Sequence, residues 1–380
     1  QDRSMGVLTA SACGDALGAG YEFQSDPLPS DHSIEMKGGN GFAPGEWTDD
    51  SSQLVAIGQA AAKGFDLRSI EGREEVVRNY QSWFDSADCH DVGVHTQEVF
   101  GTAFRQEGSL AAALEEIARE KEEREPNSSG GNGAIMRTAP VALAFIKDRL
   151  PIMEEVLLID EAARVQSLLT HHDSPTAALA SAWCLLIRSA INTEEDGDFK
   201  AIKEQALHWL DAINPEDAVR VEALLSEAEN SQPHDFKNNG WSQHAVQAAW
   251  SAITTTPIQA DDKEAGTYRA SHLQRALEAC CRIHNDTDTV ACIAGGVLGA
   301  TWGLRAVPLS WRRLIHGWPG LNDRGLMELT ARILGYRRND WPLLGHFVHA
   351  ENGSISSITV RVSASGTASG TASGTASGTA

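Results

Sequence analysis

The sequence predicts an all-α protein, and three observations lead there. Apolar residues recur three and four positions apart in segment after segment. Convincing strand-like alternation occurs only at Ile358-Thr359-Val360-Arg361-Val362. Helix start signals stand where periodic segments begin, as in Asp173-Ser174-Pro175, where a capping side chain precedes a proline suited to a first helical turn.

The elements follow in order. Gly6 to Gly20, rich in Gly and Ala, reads as a tightly packed helix whose small residues permit close approach by a neighbour. Helical periodicity then covers Leu54 to Ala62, Leu110 to Ala118, Val156 to Leu169, Ala177 to Ile191, Ala218 to Ala228, Ala245 to Ile253, Leu273 to Ile283 and Leu326 to Leu334. Val290 to Leu304 is apolar or glycine on almost every face and is expected to be buried along its length. Trp183, Trp241, Trp250 and Trp302 sit at helical spacing among apolar residues, where core packing is expected. The mixed-charge run Glu115 to Glu125 reads as a solvated helix face. One domain over residues 5–345 is expected, followed by an extension over 346–364 with a short strand and a tail over 365–380. That tail repeats the unit SGTA four times and is too polar and uniform to bury a core.

Composition narrows the function. Acidic residues outnumber basic ones by 52 to 31 for a formal charge of -21, and no basic stripe interrupts them, so no nucleic-acid partner is expected. The six cysteines form no CxxC pair, and four lie in apolar helix-like surroundings, which suits a reducing, cytoplasmic setting. The uncharged stretch Val290 to Leu304 falls short of the roughly 20 residues a bilayer requires, and the amino end lacks a signal peptide's basic start and apolar run. No membrane span is expected.

Two acidic clusters carry the candidate chemistry. Thr48-Asp49-Asp50-Ser51 stands immediately before a helix, and alone it reads as an N-cap with carboxylates near the positive end of the dipole. Asn285-Asp286-Thr287-Asp288-Thr289 also precedes a helix, but that helix is the buried one, and carboxylates there need cations or several donors. Aspartate and threonine oxygens are what magnesium accepts, whereas the histidines and thiolates that favour zinc are missing from both clusters. If the two helix starts face one another, four carboxylates and two hydroxyls suffice for a pair of ions.

The remaining candidates are weaker one by one. Ser129-Gly130-Gly131-Asn132-Gly133 is a plausible phosphate cradle or a plain flexible turn, and it matches neither GxGxxG nor GxxxxGK[ST]. Asp15, embedded in the first helix, reads as a residue that satisfies buried N–H groups. Glu22, in the loop after it, has no evident structural duty. His171 ends one helix just before the next, a position that suits a dipole partner as well as a ligand contact.

Together these pieces resemble the ADP-ribosylglycohydrolase family. The resemblance is carried by GDALGAGYEF (14–23), TDDS (48–51), GGNGAIMRTAP (130–140), LTHH (169–172), GWSQHAVQAAW (240–250) and NDTDTVACIAGGVLGATWG (285–303), and it covers roughly residues 5–320. It implies an all-helical fold with two magnesium ions in a cleft, manganese being able to substitute. Thr48, Asp49 and Asp50 would be ligands from one side and Asp286, Asp288 and Thr289 from the other. Glu22 matches a glutamate on a mobile loop over the metals; Ser129, Gly131, Asn132 and Gly133 match a loop holding the diphosphate and distal ribose; His171 matches a histidine lining the same cleft. His284 and Asn285 replace two glycines usual in the family and are expected to place larger side chains beside the metals, while Ser51 replaces a threonine.

The activity so implied is magnesium-dependent cleavage of the glycosidic bond between ADP-ribose and an acceptor, on a modified protein or small molecule. ADP-ribosylarginine is the first expectation, with ADP-ribosylserine and O-acetyl-ADP-ribose as alternatives. Asp49, Asp50, Asp288 and Glu22 form the expected catalytic group, with the base left open within the acidic cluster. The competing reading is a protein that binds ADP-ribose without turning it over.

Overall fold

Small residues decide the centre of the fold. The computed structural model describes residues 1–24, 26–146 and 150–336, and Gln1–Tyr336 form one compact unit. Its fifteen α-helices, among the described residues, begin with α1 (Asp2–Gly18), α2 (Asp49–Ala62), α3 (Ile70–Phe84), α4 (Val94–Ala103) and α5 (Leu110–Arg124). They continue through α6 (Ala139–Ala144), α7 (Ile152–Leu168), α8 (Ser174–Asn192), α9 (Phe199–Ile213) and α10 (Pro215–Glu229). The chain closes with α11 (Ser242–Thr255), α12 (Ser271–Cys281), α13 (Thr287–Trp302), α14 (Leu309–Arg312) and α15 (Asp323–Ile333). The eight periodic segments lie on helices, as do Gly6 to Gly20 and Val290 to Leu304, to within two residues, and α3, α4, α6, α9 and α14 are additional to them. The strand expected at 358–362, the 346–364 extension and the SGTA tail lie outside the described residues.

Helices α1 and α13 run antiparallel with their backbones in contact. A Cβ on Gly14 would lie 2.2 Å from the carbonyl oxygen of Ala291, one on Gly295 2.4 Å from that of Ala10, and one on Gly299 2.3 Å from that of Gly6. A Cβ on Gly18 would lie 2.4 Å from the Cα of Asp288. Only residues without a side chain at these four places let the helices approach so closely, and the seam delivers the start of α13 to the end of α1. Every residue of α13 is buried, as its composition requires.

Capping follows the sequence signals on the periphery. Asp173 accepts from the Thr176 N–H at 2.8 Å to start α8, and Ser69, Ser109, Asp198, Asn214 and Asn322 act likewise for α3, α5, α9, α10 and α15. On α5 the mixed charges do pair along an exposed face, with Arg119 2.6 Å from Glu116.

Three local expectations are corrected. Helix α8, not the 290–304 stretch, has the length and apolarity to cross a bilayer, because its single arginine scarcely lowers the average hydropathy. Its apolar window is 83% buried within the protein, and Arg188 pairs with Glu155 at 2.8 Å, so it is a core helix. Trp183, Trp250 and Trp302 are core residues, but Trp241 is half-buried and lies over Gly130, where a Cβ would fall 2.7 Å from its ring. Finally, an antiparallel hairpin of β1 (His316–Gly317) and β2 (Leu321–Asn322) appears where no alternation marks it, two residues per strand being too short to leave a pattern.

Candidate metal centre and cleft

The α1–α13 seam places Asp15 of α1 under the first turn of α2. Asp15 is fully buried and accepts from the Thr48 N–H at 3.0 Å and the Ser51 N–H at 2.9 Å, with the Thr48 hydroxyl 2.9 Å away. It therefore caps α2 from another helix, the role its burial suggested. Thr48 occupies the N-cap position yet its side chain makes no capping bond, and Asp286 at the N-cap of α13 makes none either. The acidic residues of TDDS and NDTDT are thereby left free for something other than starting their helices.

What they do is converge. One carboxylate oxygen each from Asp15, Asp50 and Asp288 lies within 4.8 Å of the others, and so does one each from Glu22, Asp286 and Asp288, with Asp288 common to both groups. Thr48 and Thr289 bring their hydroxyls to 3.1 and 3.3 Å of Asp50 Oδ2, so five of the six expected metal ligands, all but Asp49, belong to or border the cluster. Asp49 belongs to neither group. It stands beside them, its Oδ2 accepting from the Gln53 side chain at 3.0 Å.

The electrostatics of this cluster are adverse without a cation. Burial first, and then the charges of neighbouring aspartates, push Asp50 and Asp288 well above the usual carboxylate range. The same causes raise Asp49 to about 8, and burial followed by Asp286 raises Glu22 to about 8. The Oδ1 atom of Asp50 is buried without a hydrogen-bond partner. An all-oxygen donor set, mutual repulsion and an orphaned carboxylate oxygen together fit hard divalent cations, magnesium or manganese.

The sign of the pH dependence follows. A carboxylate whose folded value lies above its unfolded one favours the folded state below about pH 4 and loses that contribution as pH rises through the folded value. For Glu22 and Asp49 the window closes near pH 8. In EDTA the protein is therefore expected to melt at a lower temperature at pH 8 than at pH 6, and magnesium to raise the melting temperature more at pH 8. Calorimetric scans at the two pH values check this; a melting temperature in EDTA that rises with pH contradicts it.

The Gly-rich segment borders the cluster from the other side. Asn132 donates its Nδ2 to Asp286 Oδ2 at 2.6 Å and to the Asn239 carbonyl oxygen at 2.9 Å. Gly131 and Gly133 are half-buried against the ring of His171, whose atoms come within 3.2 Å of a Cβ on either. His171 is buried, and burial, followed by His95 and Arg137, lowers its pKa well below the usual range, so it is neutral. Ser129 differs from its neighbours: fully buried, it donates its backbone N–H to Glu122 at 3.1 Å and anchors the loop to α5. The segment is zippered to residues 240–242 by bonds from Asn132 N–H to Gly240 O and from Ser242 N–H to Gly130 O.

Asn239 went unnoticed in the sequence. Its buried side chain donates to the carbonyl oxygens of His284 at 2.9 Å and Asp286 at 3.3 Å, fixing the entry to α13. An asparagine ahead of Gly240 reads as an ordinary turn, and only the distant partner reveals its work.

Of the two residues in place of glycines, Asn285 engages neighbouring backbone rather than the carboxylates. Asn285 has φ +61°, a conformation glycine adopts freely and asparagine tolerates best among the others. Its side chain donates to the Lys237 carbonyl oxygen at 2.7 Å, while its backbone bonds to Phe23 N–H and Gln24 O. This latches the loop carrying Glu22, whose Oε2 accepts from Asn40 at 3.0 Å, onto the start of α13.

An all-helical bundle that gathers buried carboxylates from three helices into one acidic cluster has a site whose donor set could hold a cation. The chain belongs to the ADP-ribosylglycohydrolase family, whose model matches residues 1–342. The sequence is 25% identical over 316 residues to ADP-ribosylarginine hydrolase Tri1 of Serratia proteamaculans, covering 82% of this chain and 74% of that one. It is likewise 25% identical over 354 residues to ADP-ribosylhydrolase ARH3 of Danio rerio, covering 84% and 88%. Among solved structures, an ADP-ribosylglycohydrolase-related protein complex matches the fold with a TM-score of 0.61 at 22% identity, over 88% of this chain and 97% of that one.

Proposed function

We propose that this enzyme hydrolyses the glycosidic bond between ADP-ribose and its acceptor in a divalent-cation-dependent reaction, with ADP-ribosylarginine as the preferred linkage. The observation that carries the proposal is the meeting of Asp15, Asp50 and Asp288 with Glu22 and Asp286 in one cluster, in a chain of this family. The name of the Serratia relative supports arginine as the acceptor.

In this reading Thr48, Asp49, Asp50, Asp286, Asp288 and Thr289 hold two magnesium ions. When bound, such ions polarise ribose hydroxyls and make nearby water more acidic. The protein's own groups do the rest. His171, Gly131, Asn132 and Gly133 hold the diphosphate and distal ribose, with Ser129 fixing their loop, and Glu22 closes over that sugar. As the bond from the anomeric carbon to the acceptor breaks, positive charge builds on the ribose, and the carboxylates around it lower the energy of that state. Water adds its oxygen to the anomeric carbon, a carboxylate of the cluster takes its proton and passes it on, and the acceptor leaves with the bonding electron pair and that proton.

The test is a panel of ADP-ribosylarginine, ADP-ribosylserine and O-acetyl-ADP-ribose, each incubated with magnesium or with EDTA and scored for free ADP-ribose. Release from the arginine conjugate fastest, and abolished by EDTA, is expected. No release from any of the three, or release indifferent to EDTA, overturns the proposal.

A further inference from the structure

Arg137 is the cation that the cleft does not use. It is fully buried, and among the described residues its guanidinium has no carboxylate in hydrogen-bond contact. Its partners are Gln53 Oε1 at 2.7 Å on one side, and Thr170 Oγ1 at 2.5 Å and the Gln166 carbonyl oxygen at 3.1 Å on the other, with the Tyr80 ring 5.2 Å away. Burying a guanidinium among neutral groups is costly, which asks what the arrangement accomplishes.

The answer lies in what arginine cannot do. A guanidinium only donates, so each partner must turn an acceptor toward it. Gln53 must therefore direct its carbonyl at Arg137, which leaves its amide N–H groups facing the other way, where Nε2 lies 3.0 Å from Asp49 Oδ2. Thr170 must likewise accept, which leaves its own hydrogen for the atom on its far side, His171 Nδ1 at 2.7 Å. A histidine whose Nδ1 accepts carries its proton on Nε2, and that edge of the ring faces Gly131.

We propose that Arg137 is a positioning residue that sets the hydrogen-bond polarity of both halves of the cleft: through Gln53 it orients Asp49, and through Thr170 it holds His171 as the Nε2–H tautomer, a donor aimed at the phosphate-bearing ligand. The proposal rests on the reading of the cleft as an ADP-ribose and cation site. His171 donates there without carrying a charge, so its bond to the ligand does not depend on pH near neutrality.

The test uses the full chain with ¹⁵N-labelled histidine and three readouts: the His171 tautomer by NMR, ADP-ribose affinity by calorimetry, and Mn²⁺ affinity by electron paramagnetic resonance. Wild type is expected to show Nε2 protonated and Nδ1 bare. Thr170→Val should mix the tautomers and weaken ADP-ribose about tenfold, the loss of one oriented hydrogen bond, while leaving Mn²⁺ binding unchanged. Gln53→Leu should do the reverse, weakening Mn²⁺ about tenfold and leaving the tautomer unchanged. Arg137→Met should move all three readouts.

A merely structural role would shift the readouts together in every variant, and this separation keeps the proposal testable even if Arg137→Met does not fold. A wild-type His171 protonated on Nδ1, or a tautomer indifferent to Thr170→Val, overturns it. Failure of wild type to bind ADP-ribose or Mn²⁺ would instead count against the reading of the cleft, and the tautomer measurement would still decide the role of Arg137.

Discussion

Asp288→Asn is expected to slow ADP-ribose release by about a hundredfold or more, since changing even an outer partner of a metal ligand typically costs 10- to 100-fold. Asp288 is chosen because it belongs to both carboxylate groups, so its loss disturbs each. The substitution is isosteric, and the side chain is almost fully buried, so packing against the end of α1 is retained. Removing one of several mutually repelling carboxylates should leave the cation-free protein at least as stable as wild type. Magnesium, which stabilises whatever state binds it, should then raise the melting temperature of wild type and scarcely that of the variant. The paired measurement is an initial-rate assay and a thermal scan with and without magnesium. A near wild-type rate in a folded variant contradicts the role given to Asp288.

The second large effect is on folding itself. Gly14→Ala adds one methyl group where a Cβ would stand 2.2 Å from the Ala291 carbonyl oxygen, a distance at which the helices must separate. Overpacking of this sort costs about 1–3 kcal/mol and occasionally more, and here the obstacle is backbone that no rotamer change relieves. We expect a loss of about 3 kcal/mol or more and, because the same seam positions Asp288 against Gly18, a fall in cation affinity in whatever protein folds. Gly101→Ala provides the contrast. Gly101 lies inside α4 with nothing within 4 Å of the added carbon, so the change should stabilise by about 0.5–1 kcal/mol through backbone entropy and helix propensity. Denaturant titration of the two variants checks both signs, and a stable Gly14→Ala protein would remove the seam from the explanation of the site.

These effects show how far local pattern carries. Periodicity located the amphipathic helices because burial on one face writes itself into neighbouring positions, and the apolar composition of α13 announced its burial in the same way. The Gly and Ala content of α1 was legible as close packing, but its partner was not, since Gly14 and Ala291 are brought together only by the fold. Aspartates at two helix starts suggested a site. That Asp15 would cap α2 in place of Thr48, and that Asp49 would be held by Gln53 at the border of the cluster, depends on which helices adjoin. Asn239 and Arg137 left no trace for the same reason: each acts through partners remote in the chain, and neither has a spacing that marks its role. Trp241 misled because helical spacing cannot distinguish a core ring from one lying over a loop.

The central claim is that two helix beginnings, far apart in sequence, hold divalent cations between their carboxylates. Anomalous diffraction from crystals soaked in Mn²⁺ addresses it most directly. Density peaks bounded by Asp50, Asp286 and Asp288 are the predicted result; manganese bound only elsewhere, or not at all under conditions that support turnover, would contradict the account.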